Sequence, residues 1–243
     1  MVIPNRIIDV HAHILPGIDD GAKTLTDSIE IARWLAEQGV TDVIATPHFV
    51  DESEYVSSRV ENSKLLVLLQ NELRKQNINI RIHLGNEIYI CGHIAELISA
   101  GKISTLAGSR YILVELPLDM EYPGYEDYLR DLIDDGFRVV LAHPERYSFL
   151  QKNYKLAKSL RSMGVLFQCN YGSLSGKYGI EARNLVHKLA KDKMIFTLGS
   201  DAHRRSRTDY VALGREKLLK YYNEREISEL IRTNPEKILT NRD

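Results

Sequence analysis

The chain has 243 residues, a net charge of −1, 44% apolar and 27% charged residues, a balance that excludes a disordered chain and gives no basic footprint for nucleic acid. No run of 18 apolar residues offers a membrane span, and Cys91 and Cys169 are too few for a disulfide framework. With an opening MVIPNRIIDVHAH that lacks the basic-then-apolar layout of a signal peptide, the expectation is a cytoplasmic protein of one domain, 1–243, without membrane insertion.

In chain order, RIIDV at 6–10 reads as a strand, and TDSIEIARWLAEQ at 26–38 as a helix with apolar residues at helical spacing that stops before Gly39. TDVIA at 41–45 is a second strand. Residues 58–76 form a long helix carrying Val60, Leu65, Leu68, Leu69 and Leu73, followed by a strand at 78–84. A short helix at 94–100 precedes a strand at 111–115, and a helix at 125–135 precedes RVVLA at 138–142. The same alternation continues with a helix at 154–163, a strand at 165–169, a helix at 181–191 and a strand at 195–198, and helices near 210–221 and 224–232 close the chain. Seven strands alternating with helices fit a parallel barrel or a doubly wound sheet. The stripe with Ile31 and Trp34 suits either packing on the strands or self-association, so an oligomer stays open.

The stretch DVHAHILPGIDDG at 9–21 gathers metal-capable side chains at the first strand's end. Strand alternation puts Asp9, His11 and His13 on one side. TPH places His48 after the second strand, GNE places Glu87 after the third, VEL places Glu115 on the fourth, AHPER places His143 after the fifth, and GSDAH places Asp201 and His203 after the seventh. A lone histidine beyond a strand is ordinarily a loop or core residue, and His83, His93 and His187 take that reading. Coincidence would have to act at six separate strands to explain the others. In a parallel barrel these ends meet on one face, where active sites form. Imidazole and carboxylate without thiolate suit Mn, Fe or Zn, and the number of donors exceeds one mononuclear site. Metal ions so grouped activate water and hold phosphoryl oxygens.

The motifs DxHxH, TPH, GxE, AHPER and SDAH resemble the PHP (polymerase and histidinol phosphatase) superfamily. HAHILPGIDDG, GNEIYI, AHPERY, NYGSLSGKYG and SDAH are more closely similar to the bacterial PHP-type protein-tyrosine phosphatases of capsule and exopolysaccharide clusters, from the first strand to NPEKIL. The resemblance implies a distorted (β/α)7 barrel with its active site at the C-terminal strand ends and two to three divalent ions, usually manganese. Carried over by motif, His11, His13, Glu87 and Asp201 hold one ion. Glu87, Glu115 and His143 hold a second, and Asp20, His48 and His203 a third. Asp19 then becomes a turn residue or a support for a ligand, and Asp9 orients a ligand histidine or the metal shell.

The implied activity is phosphotyrosine hydrolysis by a metal-bridged hydroxide on the tyrosine-rich tail of a bacterial tyrosine autokinase controlling polysaccharide synthesis. Arg146, three residues after His143, is the expected phosphate-binding cation. The second expected arginine falls in SDAHRRSRT, where Arg207 stands one position short of the family's usual place and Arg204 and Arg205 are alternatives. A cysteine-phosphatase loop is excluded, because the sixth residue after Cys91 is Leu97 and after Cys169 is Ser175, not arginine. NYGSLSGKYG is either a substrate-side loop or a plain connection. The rival functions are another PHP phosphoesterase, such as a histidinol-phosphate phosphatase, and a non-catalytic kinase-binding partner.

Overall fold

The computed structural model describes residues 6–204 and 210–242. Nine strands lie among the described residues: β1 Ile7–Ala12, β2 Val40–Ala45, β3 His48–Phe49, β4 Arg81–Leu84, β5 Glu87–Tyr89, β6 Tyr111–Glu115, β7 Arg138–Ala142, β8 Leu166–Asn170 and β9 Ile195–Gly199. Among the described residues these strands pair in parallel. They form a three-stranded sheet, β1-β2-β4, and a six-stranded sheet, β3-β5-β6-β7-β8-β9.

All seven expected runs become strands. The two additional ones, β3 and β5, continue β2 and β4 after short breaks. Pro47 has no N–H for the ladder, so β2 stops there, and the Glu87 amide and the Asn86 side chain donate to the Pro47 carbonyl at 3.1 and 3.0 Å instead. Pairing resumes with His48 opposite Glu87. These breaks carry His48 and Glu87 on strands of the second sheet rather than on loops. On the other flank, an isolated parallel bridge joins Ala12 to Ala202. The His13 amide donates to the Ala202 carbonyl at 2.9 Å and the Asp201 amide to the His11 carbonyl at 2.8 Å.

Period-two alternation sorts the strand residues into two apolar clusters. Ile8, Val10, Leu113, Val140 and Ala142 pack on one face, while Ile112, Val114, Val139, Leu141 and Phe167 pack on the other beneath helices. Strands buried on both faces are typical of parallel sheets. Cys169 is one of these buried strand residues, and Cys91 is half-buried before the helix Ile94–Ser99.

Helix α1 (Leu25–Glu37) starts with a reciprocal capping box between Thr24 and Asp27, a device that stabilises a helix start by about 1 kcal/mol. Ile31, Ala32 and Leu35 are buried, so its apolar stripe faces inward, with Trp34 half-buried at the edge. Helix α2 (Arg59–Lys75) is capped likewise by Ser58 and Glu61 and buries Leu69 and Leu73. None of the described helices is long and apolar enough to cross a membrane.

Near the amino ends of β1, β2 and β4, the buried Asp42 carboxylate accepts from Arg6 Nε at 2.9 Å, from Arg81 Nε and Nη2 at 2.8 and 3.0 Å, and from Thr41 Oγ1 at 2.9 Å. His83 Nε2 lies 3.0 Å away. Burial pushes this carboxyl up, but the bonds from His83, Arg6, Arg81 and Thr41 outweigh it and hold it far below the usual range. His83 therefore serves a structural ion cluster.

Candidate metal centre

The opposite ends of the strands bring together all nine expected metal-capable residues. His11 lies on β1 with His13 just beyond it, His48 on β3, Glu87 on β5, Glu115 at the end of β6, and His143 after β7. Asp201 and His203 follow β9, and Asp20 lies in the turn after β1. Their ligand atoms form four overlapping groups, each within 4.8 Å: His13, Asp20, His48 and His203; His11, Glu87 and His143; His11, His13 and Asp201; and His48, Glu87 and Glu115. These groups overlap the three expected sets without reproducing them: His13 also reaches the Asp20 group, His11 joins Glu87 and His143, and Glu115 groups with His48 and Glu87. His93 and His187 lie elsewhere, 2.9 Å from Asp51 and 3.2 Å from the Leu174 carbonyl.

The local backbone is specialised for this convergence. Gly21 closes the D-D-G turn where any Cβ would lie 2.3 Å from the His13 carbonyl oxygen. His143 and Asp201 have φ of 32° and 50°, a left-handed conformation that non-glycine residues adopt at a cost. Asp9 is in none of these groups: its Oδ1 accepts from the His11 and Ser200 amides at 3.2 and 2.9 Å, holding β1 against the segment that carries Asp201.

Hydrogen bonding fixes which nitrogen each key histidine turns to the cluster. Asp201 Oδ2 accepts from Asn170 Nδ2 at 2.9 Å, so Asn170 Oδ1 is left to accept from Gln168 Nε2 at 2.9 Å. Gln168 Oε1 then accepts from His11 Nδ1 at 2.7 Å. The carboxylate end of this relay sets both amide orientations and makes His11 Nδ1 the donor. Asp19 does the same for His13, accepting from Nδ1 at 2.7 Å while its two oxygens also take the Gly21 and His48 amides. Both Nε2 atoms therefore present lone pairs inward. They stand 3.1 Å apart and 3.0 and 3.1 Å from Glu87 Oε2. Lone pairs and a carboxylate oxygen so close repel one another unless a cation lies among them. Glu87 Oε2 and His48 Nδ1 are also buried without a hydrogen-bond partner. The donor set therefore fits divalent cations.

Without metal, protons supply that positive charge. Burial lowers the His11 pKa, but Glu87 and Asp201 more than reverse it, to about 9. Burial pushes Glu87 up, yet His11 and His48 hold it well below its ordinary value. Glu115 goes the other way, driven well up by burial and the Glu87 charge. His143 falls to about 4 through burial and the Arg146 charge, with Glu87 opposing. Metal binding here must displace protons.

A cavity of about 320 Å³ opens over the cluster, lined among others by Val50, Tyr55, Tyr89, Leu118 and Arg146. Arg146 Nη1 lies 3.3 Å from Asp201 Oδ2, which places its charge at the metal-capable face. Arg204 is exposed, and Arg205 and Arg207 lie outside the described residues. The sequence reading missed Gln168 and Asn170, although two polar residues two apart in the otherwise apolar run LFQCN were a signal. It also missed Tyr55, whose ring stacks on His48 with centroids 5.9 Å apart.

A family model described as capsular polysaccharide synthesis, CpsB/CapC, matches residues 7–240. The chain is 35% identical to tyrosine-protein phosphatase YwqE of Bacillus subtilis over 198 residues, covering 81% of this chain and 77% of the relative. It is 32% identical to putative tyrosine-protein phosphatase CapC of Staphylococcus aureus, covering 90% and 87%. Its fold superimposes with a TM-score of 0.86, at 30% identity and covering 98% of this chain and 96% of the other, on a solved structure from work on YwqE and Streptococcus pneumoniae CpsB, described as unique metal-dependent tyrosine phosphatases.

Proposed function

The chain belongs to the CpsB/CapC family of capsular polysaccharide synthesis, and we infer that it is a metal-dependent protein-tyrosine phosphatase, a phosphoric monoester hydrolase, acting at the carboxyl ends of its strands. The observation that carries this reading is the inward-facing lone pairs of His11 and His13 beside Glu87, a charge arrangement suited to cations. Our reading of the two sheets, with the Ala12–Ala202 bridge between their flanks, is a distorted (β/α)7 barrel of the PHP type within one domain. His11, His13, Glu87 and Asp201, then Glu87, Glu115 and His143, then Asp20, His48 and His203 would hold up to three ions, with manganese as the expected metal. Bound divalent ions supply an activated water nucleophile and neutralise phosphoryl charge.

The chain's own residues do the rest. Arg146 binds non-bridging phosphate oxygens through its planar fork, and Arg207 is the proposed second cation. Asp19 and Gln168 hold the tautomers of His13 and His11. Tyr55, Tyr89, Val50 and Leu118 give the cavity an apolar and aromatic wall that suits the ring of phosphotyrosine. A phenol, with pKa about 10, leaves far more readily than an alkoxide, so little acid assistance is needed at the leaving oxygen. The proposed substrate is the phosphorylated tyrosine-rich tail of a bacterial tyrosine kinase governing capsule or exopolysaccharide synthesis, in the cytoplasm.

The test compares phosphate release from a phosphotyrosine peptide, a phosphoserine peptide and histidinol phosphate, with manganese and with chelator. Chelator-sensitive preference for phosphotyrosine is the expected result. Preference for histidinol phosphate would replace the substrate assignment, and turnover unaffected by chelation would remove the metal mechanism.

A further inference from the structure

The segment NYGSLSGKYG follows β8 and ends beside Arg146. Its 3₁₀ turn, Tyr171–Ser175, packs against the helix Tyr210–Leu218, and Lys177 Nζ lies 4.5 Å from the centre of the Tyr210 ring. Gly172 sits under the last part of the segment. A Cβ there would lie 3.2 Å from Tyr178 Cε2 and 3.3 Å from Lys177 Cδ, tighter than ordinary packing, so the absent side chain lets the Tyr178 ring settle over the backbone. The Arg146 guanidinium carbon lies 4.7 Å from the centre of that ring. The Tyr178 hydroxyl is 3.4 Å from Asp201 Oδ2, the same oxygen that Arg146 Nη1 and Asn170 Nδ2 approach.

We propose that Tyr178 is the positioning residue for Arg146: its ring face holds the guanidinium over the cavity so that the in-plane N–H groups meet the phosphate of the substrate. The geometry favours this over an ion pair alone. The Arg146–Asp201 contact is long at 3.3 Å, and its acceptor oxygen is shared with Asn170 and Tyr178. A bidentate Asp201–Arg146 pair would consume the edge that phosphate needs. Stacking on an aromatic face restrains the guanidinium without occupying its N–H groups, so those that the single long contact to Asp201 does not take stay available. It also restricts a flexible side chain before substrate arrives, which reduces the ordering cost of binding. Gly172 is what lets Tyr178 take this place, so the Gly-rich segment acts as a mount for a single ring.

The inference rests on Arg146 binding phosphate in the proposed phosphatase. The test is a double-mutant cycle in the metal-loaded protein, read by orthophosphate affinity in calorimetry, by kcat/KM on a phosphotyrosine peptide, and by metal content. Tyr178→Ala and Tyr178→Leu should each lower phosphate affinity and kcat/KM by roughly ten-fold. Tyr178→Phe, which keeps the ring, should stay within about two-fold. In an Arg146→Ala background, Tyr178→Ala should add no further loss, and metal content should be unchanged throughout. Equal losses with and without Arg146 would overturn the inference, as would a Leu variant that matches Phe, or metal loss from Tyr178→Ala. Wild-type protein that binds orthophosphate through Arg146 but does not hydrolyse phosphotyrosine would sink the substrate assignment alone, and the calorimetric cycle would still decide the role of Tyr178.

Discussion

The amino end of β2 carries Asp42, and its carboxyl end leads through Thr46 and Pro47 to His48. Both ends are charged and largely buried, yet they are built differently. Asp42 meets Arg6 and Arg81 directly. At the other end the carboxylates of Asp19, Asp20, Glu87, Glu115 and Asp201 converge with five histidines, and among the described residues Arg146 is the guanidinium lining the cavity. The difference teaches where to look for function. A buried charge that the chain neutralises itself is part of the fold, whereas a buried set whose lone pairs face one another requires a cation from outside.

The strongest way to break this comparison is to remove a charge from the second set. Glu87→Gln keeps the shape but turns the carboxylate that lies between His11, His13, His48 and His143 into a neutral amide. We expect metal content to fall and phosphotyrosine turnover to drop by about 10³-fold or more, since several kcal/mol of charge stabilisation are lost. His143→Ala should likewise abolish turnover while circular dichroism stays native. Manganese should raise the thermal midpoint of the wild type, by the equivalent of about 2.7 kcal/mol at a hundred times its Kd, and should do much less for Glu87→Gln. A variant that keeps normal turnover would show that the charge set is not the metal centre.

Arg146→Ala probes the same end without removing a donor, although Arg146 contacts Asp201. Loss of one preorganised charge aimed at the phosphate should cost about 10²-fold in kcat/KM, with metal content intact by elemental analysis. Metal loss in this variant would instead place Arg146 among the supports of Asp201.

How much of this was readable before the fold depends on the kind of signal. His11, His13, His48, Glu87, His143 and Asp201 announced themselves because each stands at the end of an apolar run, and a period-two pattern is robust to small boundary errors. β3 and β5 did not, because strands of two and three residues have no period to detect. They exist because Pro47 and Gly85–Asn86 interrupt longer strands. For Asp9, alternation gives the side of the strand, but only the fold shows that its carboxylate takes the His11 and Ser200 amides. Gln168, Asn170 and Tyr178 act through residues far away in the chain, and only the folded arrangement supplies those partners. Asp42 gave no warning for the same reason, since Arg6 and Arg81 are 36 and 39 residues away.

At the structural end, Asp42→Asn should leave metal content and kcat unchanged and lower stability by about 2 kcal/mol, because an amide cannot satisfy two guanidiniums and His83 as a carboxylate does. Denaturant midpoints and turnover measured on the same preparation check both halves. A fall in kcat at constant metal content would mean that the two ends are coupled.

The smallest effect is in the acid limb of stability, best measured with chelator present so that metal release adds no protons to the balance. The folded-state pKa of Asp42 lies below its unfolded value of about 3.9. Its contribution is therefore fully present above that unfolded value and is lost as pH falls towards the folded one. Asp42→Asn lacks the contribution at every pH, so the stability gap between wild type and variant should be constant from pH 7 to 5 and narrow below about pH 4. One such group changes stability by at most about 1.4 kcal/mol per pH unit, and partial exposure of Arg6 and Arg81 reduces that through solvent screening. A narrowing of under about 1 kcal/mol between pH 4 and 3 is expected. A gap that stays level would mean that ionisation of Asp42 does not contribute to the acid sensitivity of the fold, which then belongs to the metal end, where Glu87 and Asp201 are also held low.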